Sequence, residues 1–149
     1  MKPLAKNKQA SFDYDIKDRF EAGLELFGHE VKSVKTGQAS LKGAYVTMHG
    51  NEAFLINAHI PPYKFAGELP GYDPYRSRKL LLHKKELDYL IGKTKEQGLA
   101  IVPLKMYTKK GRVKLGIGIG RGKKKFDKRE SIKKREVDRK IRRAMKDSY

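Results

Sequence analysis

Four histidines, His29, His49, His59 and His83, are the first candidates for chemistry in this chain. None of them lies in a paired metal-ligand spacing. The carboxylates form no metal-binding run: Glu86 and Asp88 stand two apart on an expected helix and so diverge. There is no cysteine, which excludes disulfides, zinc ribbons and thiol nucleophiles. Two glycine motifs imitate phosphate loops and fail. GIGIGRGK starts at Gly116, but Arg121 and Lys123 stand where a dinucleotide fingerprint needs its last glycine, and charge follows in place of an amphipathic helix. Gly92-Lys93-Thr94 ends like a Walker loop, yet Leu87 occupies the position of its first glycine. No pattern supports an enzyme, and no metal or cofactor is implied.

Charge points elsewhere. The 149 residues carry 35 lysines and arginines against 17 acids, a formal net charge of +18. Residues 121–149 hold fourteen bases and five acids, so a net +9 sits in the last fifth of the chain. Like charge at that density opposes compaction and suits a polyanionic partner, with nucleic acid foremost. No apolar run approaches the roughly 18 residues of a membrane span, and the N-terminus MKPLAKNKQASFDYD lacks an apolar signal region. The expectation is a cytoplasmic protein.

These residues need elements to position them. Residues 1–10 are polar and basic and read as an arm, mobile or in contact with RNA. Phe12, Tyr14 and Ile16 alternate with polar residues as in a strand, and a second strand is expected over 21–27. Residues 28–37 read as a short helix with Gly37 at its stop. YVTMHGNEAFLIN reads as a hairpin turning at Gly50-Asn51, and the proline-rich residues 60–75 as a loop. An apolar strand then leads into a helix with Leu87, Leu90 and Ile91 on one face, stopped by Gly98. A second hairpin turns about Lys109-Lys110-Gly111. On its return strand Val113, Leu115, Ile117 and Ile119 face one way, and Lys114, Gly116, Gly118 and Gly120 the other. About six strands and two short helices before residue 121 fit a mainly β fold: a small closed or half-open barrel with flanking helices and a basic tail.

Some residues on this frame suit RNA. Lys8 lies on the basic arm. Arg76 and Arg78 share a face if extended and, with Lys79, could straddle a phosphate backbone or form a solvated basic rim. Glu21, an acid in a basic chain, is either a surface ion-pair partner or an acceptor for base amino groups. In the tail, Asp127 could cap a helix with Glu130 completing a capping box. Ile132, Val137, Ile141, Ala144 and Met145 form a thin apolar stripe along that helix. So charged a helix is expected to be disordered when free and to order on a polyanion.

FEAGLELFGHEVKS, DPYRSRKLLLHKKELDYL, VPLKMYTKKGRVKLGI and RGKKKFDKRESIKKRE follow one another from residue 20 to residue 136. In that order they closely resemble the tmRNA-binding protein family (SsrA-binding protein, small protein B). The resemblance implies an oligonucleotide/oligosaccharide-binding (OB) barrel over residues 11–120. It implies an RNA-binding adaptor that binds the tRNA-like domain of transfer-messenger RNA (tmRNA) and delivers it to stalled ribosomes for trans-translation, without a catalytic step. The implied partners are tmRNA, the ribosome at its decoding centre and message channel, and the elongation factor that carries aminoacyl-tRNA. A monomer with no membrane partner is expected. By position, the family's RNA-binding residues fall on Asn7, Glu21 and Leu81. Its ribosome-sensing positions fall on Gly122, Lys123, Lys124, Asp127, Lys128 and Arg129, and an apolar pair of its tail on Ala144-Met145. Phe126 departs from the histidine or tyrosine frequent there; the ring can still stack but loses a hydrogen bond. The other readings are a general single-strand-binding or ribosome-associated barrel, which would not prefer a folded tRNA-like elbow, and a small nuclease, which would turn RNA over.

Overall fold

The computed structural model describes residues 3–96, 98–123, 129, 133, 135–137 and 139–141. In chain order the elements are β1 (Ala5–Lys6), α1 (Ala10–Asp13), β2 (Tyr14–Leu24), α2 (Gly28–Lys35), β3 (Tyr45–His49), β4 (Glu52–Ile56), β5 (Arg78–Leu81), α3 (Lys84–Thr94), β6 (Leu99–Lys109) and β7 (Arg112–Gly122). The fold is mainly β. Seven antiparallel strands form one sheet in the order β1-β6-β7-β2-β5-β4-β3, and β3 also comes alongside β6, so the sheet curls on itself.

Both hairpins form where the turn residues indicate. β6 and β7 join through Lys110 and Gly111, which both take positive φ, 52° and 76°. That geometry matches the twist of the paired strands. At the β3–β4 turn Gly50 alone takes a positive φ, 59°. The expected strands 12–16 and 21–27 differ from what is found. Phe12 lies in the single turn of α1, because three alternating residues fit one helical turn as well as a strand. From Tyr14 the chain is one long strand, and its register slips between Ile16 and Asp18.

The glycine face of β7 explains how the sheet bends. A Cβ on Gly118 would lie 2.8 Å from Ile16 Cγ2 and 3.2 Å from Leu104 Cδ1; one on Gly120 would lie 2.9 Å from the Asp15 carbonyl oxygen. Ile16 and Leu104 stand at the bulges of the two strands that flank β7. Their side chains fold over the bare strand, which only glycine permits. On the opposite face Leu115, Ile117 and Ile119 enter the core with Leu55, Ile60, Leu80, Leu90 and Met106. Each such side chain contributes roughly 1.5–3 kcal/mol on burial.

The N-terminal segment is tied to this sheet. Leu4 N–H donates to the Met106 carbonyl at 2.7 Å and Asn7 N–H to the Leu104 carbonyl at 2.8 Å, flanking the β1–β6 pairing. β7 pairs with β2 as far as Gly122, and Lys123 N–H donates to the Asp13 carbonyl at 2.8 Å. The sheet therefore extends past residue 120. Beyond it, the described residues 129, 133, 135–137 and 139–141 are helical and exposed.

Candidate nucleic-acid interface

Glu21 stands on β2 opposite Gly116 of β7. Gly116 presents no side chain, and the Tyr107 ring crosses the space, its Cε1 3.6 Å from where a Cβ would be. The largely buried Tyr107 thereby reaches Glu21, its hydroxyl donating to Oε2 at 2.5 Å. Lys109 Nζ approaches Oε1 at 3.5 Å. The Tyr107 hydrogen bond, with lesser help from Lys109 and Lys114, outweighs desolvation and holds the Glu21 carboxyl below its ordinary range. Burial, and then the neighbouring carboxylate, push the Tyr107 phenol well above its own. Glu21 is thus a carboxylate whose orientation is fixed by Tyr107 beside Lys109.

Leu81 lies one strand away. β5 pairs with β2 so that Leu81 faces Gly23, and Leu81 is 51% exposed. Glu21 and Leu81 line one groove of about 910 Å³, with Lys79, Leu87, Arg112 and Lys114 also on its walls. An oriented carboxylate can accept from the amino group of an unpaired base, an apolar side chain can pack on its face, and the cations can hold phosphates.

The Arg76–Arg78–Lys79 group requires a correction. Arg78 is fully buried and cannot touch a phosphate backbone. Its guanidinium donates to Glu30 Oε2 at 2.7 and 3.0 Å, to the carbonyls of Ala58 and Pro74 at 2.7 and 3.0 Å, and to the Tyr72 oxygen at 3.0 Å. Arg76 shares its face, as alternation predicts, but that face is turned to Glu30, to which Arg76 also donates. Arg76 further lies 4.1 Å over the Phe27 ring and keeps a quarter of its side chain exposed. Burial pushes the Glu30 carboxyl up, but hydrogen bonds from Arg76, the Phe27 N–H, Arg78 and Tyr72 outweigh it and hold it down at about 2. Burial and the Glu30 carboxylate in turn push Tyr72 up to about 12. Lys79 alone of the three is free of this cluster, in an exposed ion pair with Glu52 at 3.3 Å.

Asn7 and Lys8 lie outside the Glu21–Leu81 groove. Asn7 uses its side-chain amide to donate to the Pro103 carbonyl at 2.8 Å. Asn7 and Lys8 line a second cleft with Arg135 and Arg139 of the tail. Gly122 ends β7, and Lys123 Nζ donates to the Ser11 carbonyl at 2.7 Å. Arg129 and Ile141 are helical and exposed. Lys124, Phe126, Asp127, Lys128, Ala144 and Met145 lie outside the described residues, as do Glu130 and Ile132 of the expected cap and stripe. The histidines stand apart from one another: His29 packs edge-on to Tyr72, His49 to Phe54, His59 against Tyr75, and His83 precedes α3. Among the described residues no group of His, Cys, Asp or Glu could hold a metal ion.

Glu30, Tyr72 and Tyr107 were not anticipated from sequence. Tyr107 is 86 positions from Glu21, and Arg78 is 48 from Glu30. No periodicity or short motif connects residues so far apart.

A family model described as SmpB protein matches residues 4–147 of the chain. A SsrA-binding protein of Nostoc punctiforme is 50% identical over 145 residues, 97% of this chain and 94% of that protein. One of Microcystis aeruginosa is 51% identical over 146 residues, covering 98% and 95%, and one of Enterococcus faecalis 49% identical over 147 residues, covering 99% and 95%. A solved structure described as "tmRNA-SmpB: a journey to the center of the bacterial ribosome" superposes with a TM-score of 0.67 at 41% identity, covering 85% of this chain and 92% of that one.

Proposed function

The chain belongs to the SmpB protein family, and from that premise we propose that it is the RNA-binding adaptor of trans-translation. It binds the tRNA-like domain of tmRNA and brings it to stalled ribosomes, where the nascent chain is tagged and the ribosome released. The observation that carries the reading is the groove in which Glu21, oriented by Tyr107, meets exposed Leu81 between Lys79, Arg112 and Lys114. A carboxylate so placed repels a bare phosphate backbone, and an apolar side chain beside it favours a base. The groove therefore suits a folded RNA that presents particular unpaired bases.

The finer parts of the proposal follow from this. The curled sheet is an OB-like half-barrel, and its RNA-binding body runs from the N-terminal segment to residue 123. Asn7, Lys8, Glu21, Lys79 and Leu81 contact tmRNA. The tail is disordered when free and becomes helical in the message channel, with Gly122, Lys123, Lys124, Phe126, Asp127, Lys128 and Arg129 at the decoding centre and Ile141, Ala144 and Met145 farther along. The elongation factor that carries aminoacyl-tRNA joins the delivery, the protein makes or breaks no bond, and it works in the cytoplasm. A competition assay tests the reading. Unlabelled tmRNA should displace a labelled tRNA-like domain at concentrations at least a hundredfold below an unstructured RNA of equal length. Equal displacement would mean a general single-strand binder.

A further inference from the structure

A pocket of about 290 Å³ lies between the end of α2 and the proline-rich loop, and none of its residues lines the Glu21–Leu81 groove. Pro61, Pro62, Tyr63 and Phe65 form one wall, and Ser33 and Gln38 stand on the other. Phe65 is 76% exposed, the most exposed large apolar side chain among the described residues. Its ring meets the Tyr63 ring edge to face, with centroids 5.6 Å apart. Ser33 is 1% exposed, and its hydroxyl has no hydrogen-bond partner among the described residues. The buried Glu30 cluster fixes both walls. The Tyr72 hydroxyl stands 2.8 Å from Glu30 Oε2 of α2 and 2.7 Å from the Ile60 carbonyl of the loop. Ile60 N–H donates to the Pro74 carbonyl at 3.0 Å, and Ala66 N–H closes a turn onto the Tyr63 carbonyl at 3.0 Å. The pocket is therefore formed before anything enters it.

Its chemistry is apolar inside and cationic at the rim. The prolines have no N–H to offer an anion. Lys32 Nζ lies 5.7 Å over the Tyr63 ring, and Lys64 Nζ 5.6 Å over the Phe65 ring. Among the described residues neither lysine pairs with an acid, nor does Lys35 at the end of α2; Glu68 follows in the same loop but meets none of them. A stacked nucleobase needs an open ring face on which to lie. Here an ammonium sits over a face of each ring and the rings cross at 71°, so they offer no parallel walls to a base. One large apolar side chain fits better. It can pack on the prolines and ring edges, while the Ser33 hydroxyl and the Gln38 amide meet its backbone N–H and C=O. Carboxylates flanking it would meet Lys32, Lys35 and Lys64.

We propose that this pocket is a docking site for a protein partner, and that its occupant is an acidic segment of that partner carrying one large apolar side chain. The apolar side chain is the anchor, and the flanking Asp and Glu residues meet the lysine rim. The proposal goes beyond the RNA-binding reading. Because pocket and groove share no residue, one chain can hold RNA in the groove and the partner at the pocket together. The Glu30 cluster, whose Arg78 cannot touch RNA, then has a role besides stability: it keeps the two walls in place, so docking needs little reorganisation.

The probe is a phage-displayed library of random dodecapeptides, panned on the full chain at physiological salt, where charge attraction is screened beyond about 8 Å. Peptides are kept if they bind the parent and Lys84→Glu but not Phe65→Ser with Lys64→Glu. Lys84 is exposed and lines neither groove nor pocket, so its reversal controls for charge alone. Phe65 and Lys64 are also exposed, so both variants should melt with the parent. The expected result is a consensus with one large apolar residue among Asp and Glu. A synthetic peptide of that consensus should lose roughly tenfold or more in affinity in the Phe65/Lys64 variant and stay within about twofold in Lys84→Glu. Ser33→Ala should keep the parent's melt yet weaken the peptide several-fold, and the peptide should shift the Gln38 and Phe65 amide resonances. Failure to find any sequence that separates the variants overturns the proposal. So does a neutral or basic consensus, or an equal loss in Lys84→Glu. An oligouridylate RNA that shifts the Gln38 and Phe65 amides as the peptide does would give the pocket to nucleic acid and overturn it too. Affinity for the isolated tRNA-like domain of tmRNA keeps the functional reading separate: it should be alike in the parent and the Phe65/Lys64 variant, and a parent that does not bind that RNA removes the functional reading while leaving the pocket standing.

Discussion

Arg78→Met removes the guanidinium from the centre of the Glu30 cluster and puts an unbranched apolar side chain in its place. Five hydrogen bonds go with it: two to Glu30, two to the Ala58 and Pro74 carbonyls and one to Tyr72. Glu30 keeps Arg76, Tyr72 and the Phe27 N–H, so its charge is not left wholly bare. Breaking a buried pair destabilises by about 3–5 kcal/mol, and Glu30's remaining donors place this change near the lower end, about 3–4 kcal/mol. That is a large part of a typical 5–15 kcal/mol. For a chain of this length it corresponds to a fall in Tm of roughly 10–15 °C. Chemical denaturation followed by circular dichroism measures the stability, and filter binding at 20 °C measures tmRNA affinity on the fraction still folded. The expected result is a large loss of stability with affinity within about threefold, or ~0.7 kcal/mol. A variant as stable as the parent but tenfold weaker for tmRNA would refute the reasoning and return Arg78 to the RNA.

Acid should act through the same cluster. The Glu30 carboxyl titrates at about 2 when folded against 4.5 in the open chain, so its contribution is complete above pH 4.5 and is lost as pH falls from there toward 2. At 1.36 kcal/mol per pH unit the loss is at most about 3 kcal/mol, and denaturation midpoints between pH 6 and 2.5 should show it, with Glu30→Gln flattening the profile. Tyr107→Phe keeps the ring over Gly116 but removes the donor to Glu21; tmRNA affinity should fall several-fold while Tm moves little, and in a Glu21→Gln background the same change should have no further effect. Gly118→Ala puts a methyl group 2.8 Å from Ile16 Cγ2 and should destabilise by about 1–3 kcal/mol in thermal melts.

Much of the sheet was legible because its signals are local. Gly50 and Gly111 mark the hairpin turns, and the alternation from Val113 to Ile119 gives the buried face of β7. The bulge near Lys17 is not legible, because an inserted residue leaves no mark in a short alternating run, and the sequence pattern therefore indicates two strands where β2 is one. The Arg76–Arg78 alternation correctly placed both side chains on one face. What that face meets depends on Glu30, brought there by α2 and the packing of the proline-rich loop. Glu21 entered through resemblance. Its fixed orientation comes from Tyr107 and from the absence of a side chain at Gly116, two positions whose proximity only the paired sheet creates.

The central claim is that the body binds tmRNA and the tail acts on the ribosome. Chain end-points should be set by the sheet, so the informative truncation is 1–123, which keeps β7 intact through Gly122 and the Lys123 contact to Asp13. The measurement is tmRNA-dependent tagging of a nascent chain on reconstituted stalled ribosomes, with the full chain, the 1–123 chain or no added protein, and tRNA-like-domain affinity taken on the same preparations. Tagging should require the full chain, and 1–123 should bind the RNA within about threefold, or ~0.7 kcal/mol, yet give no tagging. Full tagging by 1–123 would contradict the account, and so would loss of RNA binding and tagging together in a 1–123 chain that still melts cooperatively.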